Sequence, residues 1–144
     1  MNKKILSVAV GLALVLALTT LMANQDTASA QECRLVRLHG GIGTNVSEIR
    51  IEPRALWISK GTCVIWSNWV RTDEVKVIFE EGKKCEDVTD APVGFTMNAD
   101  NCYVTDFISL GGTSSLKFNE AGTYKYTVES AGGTIKARGE IGVR

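Results

Sequence analysis

The chain has 144 residues, the size of a single domain, with 16 basic and 16 acidic side chains. Because these charges balance, there is no basic excess to attract phosphate, and nucleic acid is excluded as an expected partner. The chain contains one histidine, which excludes any site that needs two imidazoles from one molecule.

Met1–Ala30 has the pattern of a cleavable signal peptide. Two lysines precede an apolar stretch at residues 5–23, and the Ala-Ser-Ala sequence at residues 28–30 supplies the small residues that a signal peptidase reads. The apolar stretch is also about long enough to span a bilayer, so an uncleaved membrane anchor is the alternative. The Ala-Ser-Ala sequence favours cleavage after Ala30. We therefore expect a periplasmic or extracellular domain, Gln31–Arg144, with no membrane contact after cleavage.

The four cysteines all follow this segment, and an even number of cysteines in an exported chain predicts disulfide bonds. They are Cys33, Cys63, Cys85 and Cys102, and three pairings are open to them. We favour Cys85–Cys102, because a crosslink there would stabilise the turn-rich segment between them by about 3 kcal/mol. The pair Cys33–Cys63 then follows by elimination. The spacing of the four cysteines lacks the close ligand pairs of structural zinc sites, so it does not favour zinc binding.

The rest of the chain consists of short apolar or alternating runs separated by turn signals. The strand-like runs are residues 33–38, 49–51, 56–58, 63–66, 75–79, 106–108, 115–118, 124–128 and 139–143. Pro53 ends the second run, and Lys60-Gly61 and Gly111-Gly112 are turn signals. No helical periodicity extends beyond a turn or two, so the pattern predicts an all-β sandwich with an irregular segment between Cys85 and Cys102.

Several of these runs, in this order, resemble the cupredoxin family. Residues 51–58 (IEPRALWI) and 60–68 (KGTCVIWSN) resemble its second and third strands. Residues 118–126 (FNEAGTYKY) resemble the stretch before its copper-binding loop, and residues 139–143 (GEIGV) resemble its final strand. The resemblance implies a Greek-key β-sandwich of the plastocyanin and azurin type. An immunoglobulin-like sandwich is the alternative.

The resemblance also locates the positions at which this family binds copper. A type 1 copper site needs two imidazoles and a thiolate, usually with a weak axial methionine. The matching positions hold Val75, Val128, Ala131 and Ala137. Shifting the first position by one residue gives Glu74, whose carboxylate cannot replace an imidazole in this chemistry. We therefore interpret the four positions as an apolar filling of a degenerate copper site, and we expect no cofactor.

Two further sets of residues are candidates for a site. His39 and Met97 are weak metal-ligand candidates, although a loop imidazole and a core methionine are the simpler interpretations. They support the alternative function, a copper-handling or electron-transfer protein with a rearranged metal site. Trp69, with Trp57 and Phe95, is a candidate exposed aromatic patch for a partner or ligand. The other interpretation of Trp69 is that it covers the vacated copper pocket.

No arrangement of residues predicts catalysis. A Ser–His–Asp triad would have to use His39, and the chain has no G-x-S-x-G nucleophile elbow. The carboxylates at residues 80–90 are typical of a solvated acidic loop, and the glycines at residues 40–43 lack the Lys-Ser/Thr of a phosphate-binding loop. We expect a non-catalytic, exported, cupredoxin-like module that binds an unidentified protein or small ligand.

Overall fold

The computed structural model describes residues 32–40, 48–71, 73–79 and 89–144, which form eleven β-strands in two sheets. The five-stranded sheet, in the order β2-β1-β4-β9-β6, consists of β1 (Cys33–Gly40), β2 (Ile49–Glu52), β4 (Thr62–Val70), β6 (Thr89–Val93) and β9 (Thr113–Phe118). The six-stranded sheet, in the order β3-β11-β10-β5-β8-β7, consists of β3 (Ala55–Ile58), β5 (Val75–Phe79), β7 (Phe95–Met97), β8 (Tyr103–Thr105), β10 (Gly122–Ser130) and β11 (Lys136–Val143). The predicted all-β sandwich is confirmed.

The chain passes repeatedly between the two sheets, as in a Greek-key sandwich. Strand β1 pairs parallel to β4, and β3 pairs parallel to β11, whereas the other strand pairs are antiparallel. Pro53 and Arg54 separate β2 from β3 and mark the point where the chain leaves one sheet for the other. Pro53 therefore ends a strand, as its missing N–H predicts. The predicted signal peptide, Met1–Ala30, lies outside the described residues, and no helix within the described ranges is long and apolar enough to cross a membrane.

Two strands are longer than the sequence pattern predicts. Strand β4 continues to Val70, so Asn68 and Trp69 lie in a strand and not in the expected loop. Strand β1 likewise includes His39, which was expected in a loop next to the turn at Gly40. The reason is their mutual pairing, which runs without a break from Cys33 opposite Cys63 to Gly40 opposite Val70. Ladder hydrogen bonds therefore override the local preference of these residues.

The segment before Cys102 is more regular than expected. It contains β6 and β7, joined at Gly94, whose φ of 71° a glycine adopts at little cost. Strand β6 lies at the edge of its sheet and pairs with β9 with a register shift. Pro92 is tolerated there because its missing N–H costs no ladder hydrogen bond at an edge or a bulge. The prediction of a strand at residues 106–108 is wrong. The strand here is β8, and Ile108 forms only an isolated bridge to Val75.

The core between the sheets is built around Trp66. Its ring contacts four other aromatic rings at centroid distances of 5.5 to 6.5 Å, those of Phe79, Phe95, Phe118 and Tyr126. Edge-to-face contacts of this kind add to the free energy of burial. The core of the sandwich is therefore densely aromatic around Trp66.

The two tyrosines of β10 differ in how their hydroxyls are satisfied. Tyr124 lies at the edge of the core, and its hydroxyl donates a 3.0 Å hydrogen bond to the carbonyl oxygen of Glu120. The Tyr126 hydroxyl is fully buried and has no hydrogen-bond partner within the described ranges, and neither has the indole nitrogen of Trp66. Burial raises the pKa of Tyr126 to about 12, and the adjacent indole N–H of Trp66 opposes that rise without reaching hydrogen-bond geometry.

One disulfide bond links β1 to β4, the middle strand of the five-stranded sheet. Cys33 and Cys63 are bonded and lie directly opposite each other on β1 and β4, so the predicted pairing of these two cysteines is confirmed. Cys102 is also disulfide-bonded. Its predicted partner, Cys85, lies outside the described residues.

Candidate functional site

Strands β5, β10 and β11 bring together three of the positions that the family resemblance assigns to copper ligands. Val128 lies opposite Val77 of β5 on one side and opposite Ala137 of β11 on the other. Val75 lies opposite Ser130, two residues further along the same face. Three positions that are far apart in the sequence, 75, 128 and 137, are therefore neighbours in the folded chain.

The side chains at these positions are hydrocarbons in two distinct environments. Val75 and Val128 are fully buried in the core, and Ala137 is half-buried against it. Ala131 is exposed, so the interpretation of all four residues as an apolar filling is wrong for this one. The reason is a turn after Ser130, in which the N–H of Gly133 donates to the Ser130 carbonyl and reverses the chain.

This set of side chains does not fit a type 1 copper ion. None of the four carries a nitrogen or sulfur atom, and the ion needs two imidazoles and a thiolate. Glu74, the shifted alternative, accepts a 2.6 Å hydrogen bond from the hydroxyl of Ser109 at the surface. Within the ranges that the structure describes, no group of three or more His, Cys, Asp or Glu side chains is placed to hold a metal ion.

A buried asparagine, which sequence reasoning did not single out, organises this end of the sandwich. The side-chain nitrogen of Asn68 donates to the carbonyl oxygens of Ile108 at 2.7 Å and Asp73 at 3.2 Å. Its side-chain oxygen accepts a 2.8 Å hydrogen bond from the N–H of Val70. This fully buried side chain joins the loop before β5 and the loop before β9 to the end of β4. Its inward position in the alternation of Val64, Trp66 and Val70 is the signal that could have identified it.

The two weak metal-ligand candidates are not brought together. His39 lies on β1 of the five-stranded sheet, and its Nε2 atom lies 3.0 Å from the carboxylate of Glu52 on the adjacent β2. Met97 lies at the end of β7, the edge strand of the six-stranded sheet, with its side chain partly exposed. Because they belong to different sheets, they do not form a common site.

The predicted aromatic patch of Trp57, Trp69 and Phe95 is not formed. Phe95 is buried, with its ring 5.5 Å from that of Trp66, because β7 places it on the inward face. Trp57 and Trp69 are both more than half exposed, but they lie on different sheets. The Trp57 ring covers Gly142 and contacts the guanidinium of Arg144, whereas Trp69 lies opposite His39. Its exposed side chain means that Trp69 does not cover a pocket in the core.

Strand order, the two parallel pairings and the convergence of positions 75, 128 and 137 together define a cupredoxin-like β-sandwich. Solved structures of amicyanin, a cupredoxin, are among those that resemble this chain. The copper(I) form of a variant with one methionine replaced by alanine has a TM-score of 0.48 and 18% identity, covering 82% of this chain and 88% of that one. A second copper(I) variant of the same kind has a TM-score of 0.46 and 19% identity, covering 83% and 87%. No family model and no curated protein matches the sequence.

Proposed function

We propose that this chain is an exported, non-catalytic, cupredoxin-like module that has lost the type 1 copper site and binds a protein or a small ligand. The observation that carries the proposal is the burial of Val75 and Val128 in the apolar core at positions that the family resemblance assigns to copper ligands. A hydrocarbon side chain fills the space that an imidazole or a thiolate would need. Electron transfer by type 1 copper has no donor set here.

Export and oxidation state are tested together by mass spectrometry. The full-length chain is expressed with its N-terminal segment in a bacterial host, and the protein is purified from the periplasm. We expect a mature N-terminus at Gln31 and a mass that corresponds to four oxidised cysteines, because an oxidising compartment forms both disulfides. An uncleaved N-terminus recovered in the membrane fraction contradicts export as a soluble domain.

Copper is tested on the same preparation. We expect no tight stoichiometric binding of Cu(II) and no intense blue thiolate-to-copper absorption, because neither a thiolate nor two imidazoles is available. The matched control restores the ligand set with Val75→His, Val128→Cys, Ala131→His and Ala137→Met in one variant. A blue band in this variant shows that the four positions are the ligand positions of the fold. A blue band in the unaltered protein overturns the proposal.

The alternative, a rearranged copper site, has no structural observation in its favour. His39 already lies within hydrogen-bond distance of Glu52, and Met97 lies on the other sheet. The measurements above also test this alternative, because a rearranged thiolate site requires at least one reduced cysteine in the purified protein.

A further inference from the structure

A basic groove opens where the chain passes from one sheet to the other. Strand β3 pairs with β11 only from Glu140 to Val143, so residues 136–139 of β11 have β10 as their only strand neighbour among the described residues. Strand β2 lies across from this free edge but belongs to the other sheet. The space between them is a groove of about 960 Å³. This volume lies in the range of sites that hold small organic ligands.

The walls of the groove combine hydrocarbon with positive charge. Its apolar side chains come from three strands and are Ile49, Ile51, Ile78 and Ala137. Its basic side chains are Arg50, Arg54, Lys136 and Arg138. Among the described residues of the lining, the only acidic one is Glu129. Because the chain as a whole carries no net charge, this excess of positive charge is a local property of the groove.

At least two of the four basic side chains already have carboxylate partners. Lys136 pairs with Glu129 at 3.2 Å, and Arg50 pairs with Glu48 at 2.5 Å. Arg54 differs from them. Its Nε atom donates a 3.1 Å hydrogen bond to the carbonyl oxygen of Arg138, and no carboxylate of the described ranges pairs with it.

The Arg54 guanidinium is therefore held in place by one of its nitrogens while its two terminal nitrogens are open to a ligand. A planar guanidinium that is already oriented loses less side-chain entropy when it binds an oxyanion in a two-point contact. A second, neighbouring groove of about 620 Å³ also includes Arg54 and Arg138 in its lining, so Arg54 lies between the two. This position makes Arg54 the natural anchor for an anionic head group.

We propose that this groove binds a small amphipathic anion, with a carboxylate or phosphate head group at Arg54 and a hydrocarbon portion against Ile51 and Ile78. The inference deepens the proposed binding function by naming the ligand class and the site. A purely apolar ligand would leave the Arg54 charge without a partner. A simple inorganic anion would leave the isoleucines in contact with water. An amphipathic anion satisfies both surfaces of the groove.

The ligand class is tested with three probes on the protein purified after export. Isothermal titration calorimetry compares decanoate, decanol and inorganic phosphate below the concentration at which decanoate aggregates. We expect saturable one-to-one binding of decanoate, with decanol and phosphate weaker by at least about tenfold, because each lacks one of the two contacts. Equal affinity for decanoate and decanol, or the absence of saturable decanoate binding, overturns the proposal.

The site is tested with matched charge-removing variants. Arg54→Gln is expected to weaken decanoate binding by at least about tenfold, because it removes a charge-assisted contact. Arg34→Gln, which removes the same charge from a residue of β1 outside the lining of this groove, is expected to leave the affinity unchanged. Arg54→Lys keeps the charge and is expected to restore part of the affinity. Circular dichroism confirms that each variant folds.

Equal losses in Arg54→Gln and Arg34→Gln place the binding elsewhere and overturn the proposal. The copper measurement described above is independent of this one. A protein that binds decanoate at Arg54 and also forms a blue copper site contradicts the proposed function but not this inference. A protein without copper that fails to bind decanoate contradicts only this inference.

Discussion

The side-chain nitrogen of Asn68 donates a 2.7 Å hydrogen bond to the carbonyl oxygen of Ile108, 40 residues further along the chain. This bond joins the end of β4 to the loop before β9. Ile108 in turn exchanges two backbone hydrogen bonds with Val75, the residue that the family resemblance places at the first copper-ligand position. One buried amide therefore holds together the end of the sandwich at which the family resemblance implies a metal site.

Replacing Asn68 is expected to destabilise this end strongly. Asn68→Ala leaves the N–H of Val70 without its side-chain acceptor and removes the amide's bonds to the carbonyl oxygens of Ile108 and Asp73, at a cost of about 2 kcal/mol in the free energy of unfolding. Urea denaturation measures this cost. Ser67→Ala on the same strand is the control, because Ser67 is also buried but forms no side-chain hydrogen bond within the described ranges, and its effect should stay within about 1 kcal/mol. Equal effects of the two substitutions would contradict the role assigned to Asn68.

The disulfide between Cys33 and Cys63 is expected to contribute substantially to stability. The two cysteines are 30 residues apart, so the bond restricts a long loop of the unfolded chain. The double substitution Cys33→Ala and Cys63→Ala should lower the free energy of unfolding by about 3 to 4 kcal/mol in the loop-entropy model. Denaturant titration of the oxidised proteins checks this value. A loss below about 1 kcal/mol would contradict the loop-entropy expectation and indicate that the unfolded chain without the bond retains structure.

Tyr126 is expected to make the protein sensitive to alkaline pH. The pKa of its hydroxyl is raised from 10.0 to about 12 by burial, so the unfolded chain releases this proton at lower pH than the folded chain. The stability associated with the neutral hydroxyl is complete below about pH 10 and is lost as the pH rises toward 12, by up to about 1.4 kcal/mol per pH unit. Tyr126→Phe should flatten this dependence, measured by urea denaturation at about pH 8 and about pH 11.

The same substitution has a second expected effect near neutral pH. Because the Tyr126 hydroxyl has no hydrogen-bond partner within the described ranges, Tyr126→Phe should leave the stability unchanged or raise it slightly. A loss of more than about 1 kcal/mol at neutral pH would indicate that the hydroxyl is satisfied in solution, for example by a buried water.

The three tryptophans are expected to respond very differently to truncation. Trp66→Ala removes the ring at the centre of the aromatic core and should cost about 3 to 5 kcal/mol. Trp69→Ala removes a side chain that is 54% exposed and should cost less than about 1 kcal/mol. Thermal and chemical unfolding compare the two variants. A large loss in Trp69→Ala would contradict its placement on the outer face of β4.

Local pattern predicts the strands well wherever alternation and turn chemistry agree. Residues 75–79 place Val75, Val77 and Phe79 on one face and form β5 with those bounds, and Lys60-Gly61 separates β3 from β4. Prediction fails where strand pairing extends an element, as at Asn68 and His39, or where an edge strand forms from residues of low strand propensity, as around Pro92. These residues adopt strand conformation because a partner strand supplies hydrogen bonds, and that partner is distant in the sequence.

The sequence by itself determined that this chain forms a β-sandwich and that the side chains of Val75, Val128, Ala131 and Ala137 carry no nitrogen or sulfur ligand atom, because alternation and residue identity are local properties. Only the tertiary structure decided that Phe95 is buried, that Trp57 and Trp69 belong to different sheets, and that Ala131 is exposed. It also decided that basic residues of β2, β11 and the turn at Arg54 line one groove. These outcomes depend on which strands become neighbours, and the burial free energy of the whole core selects those neighbours.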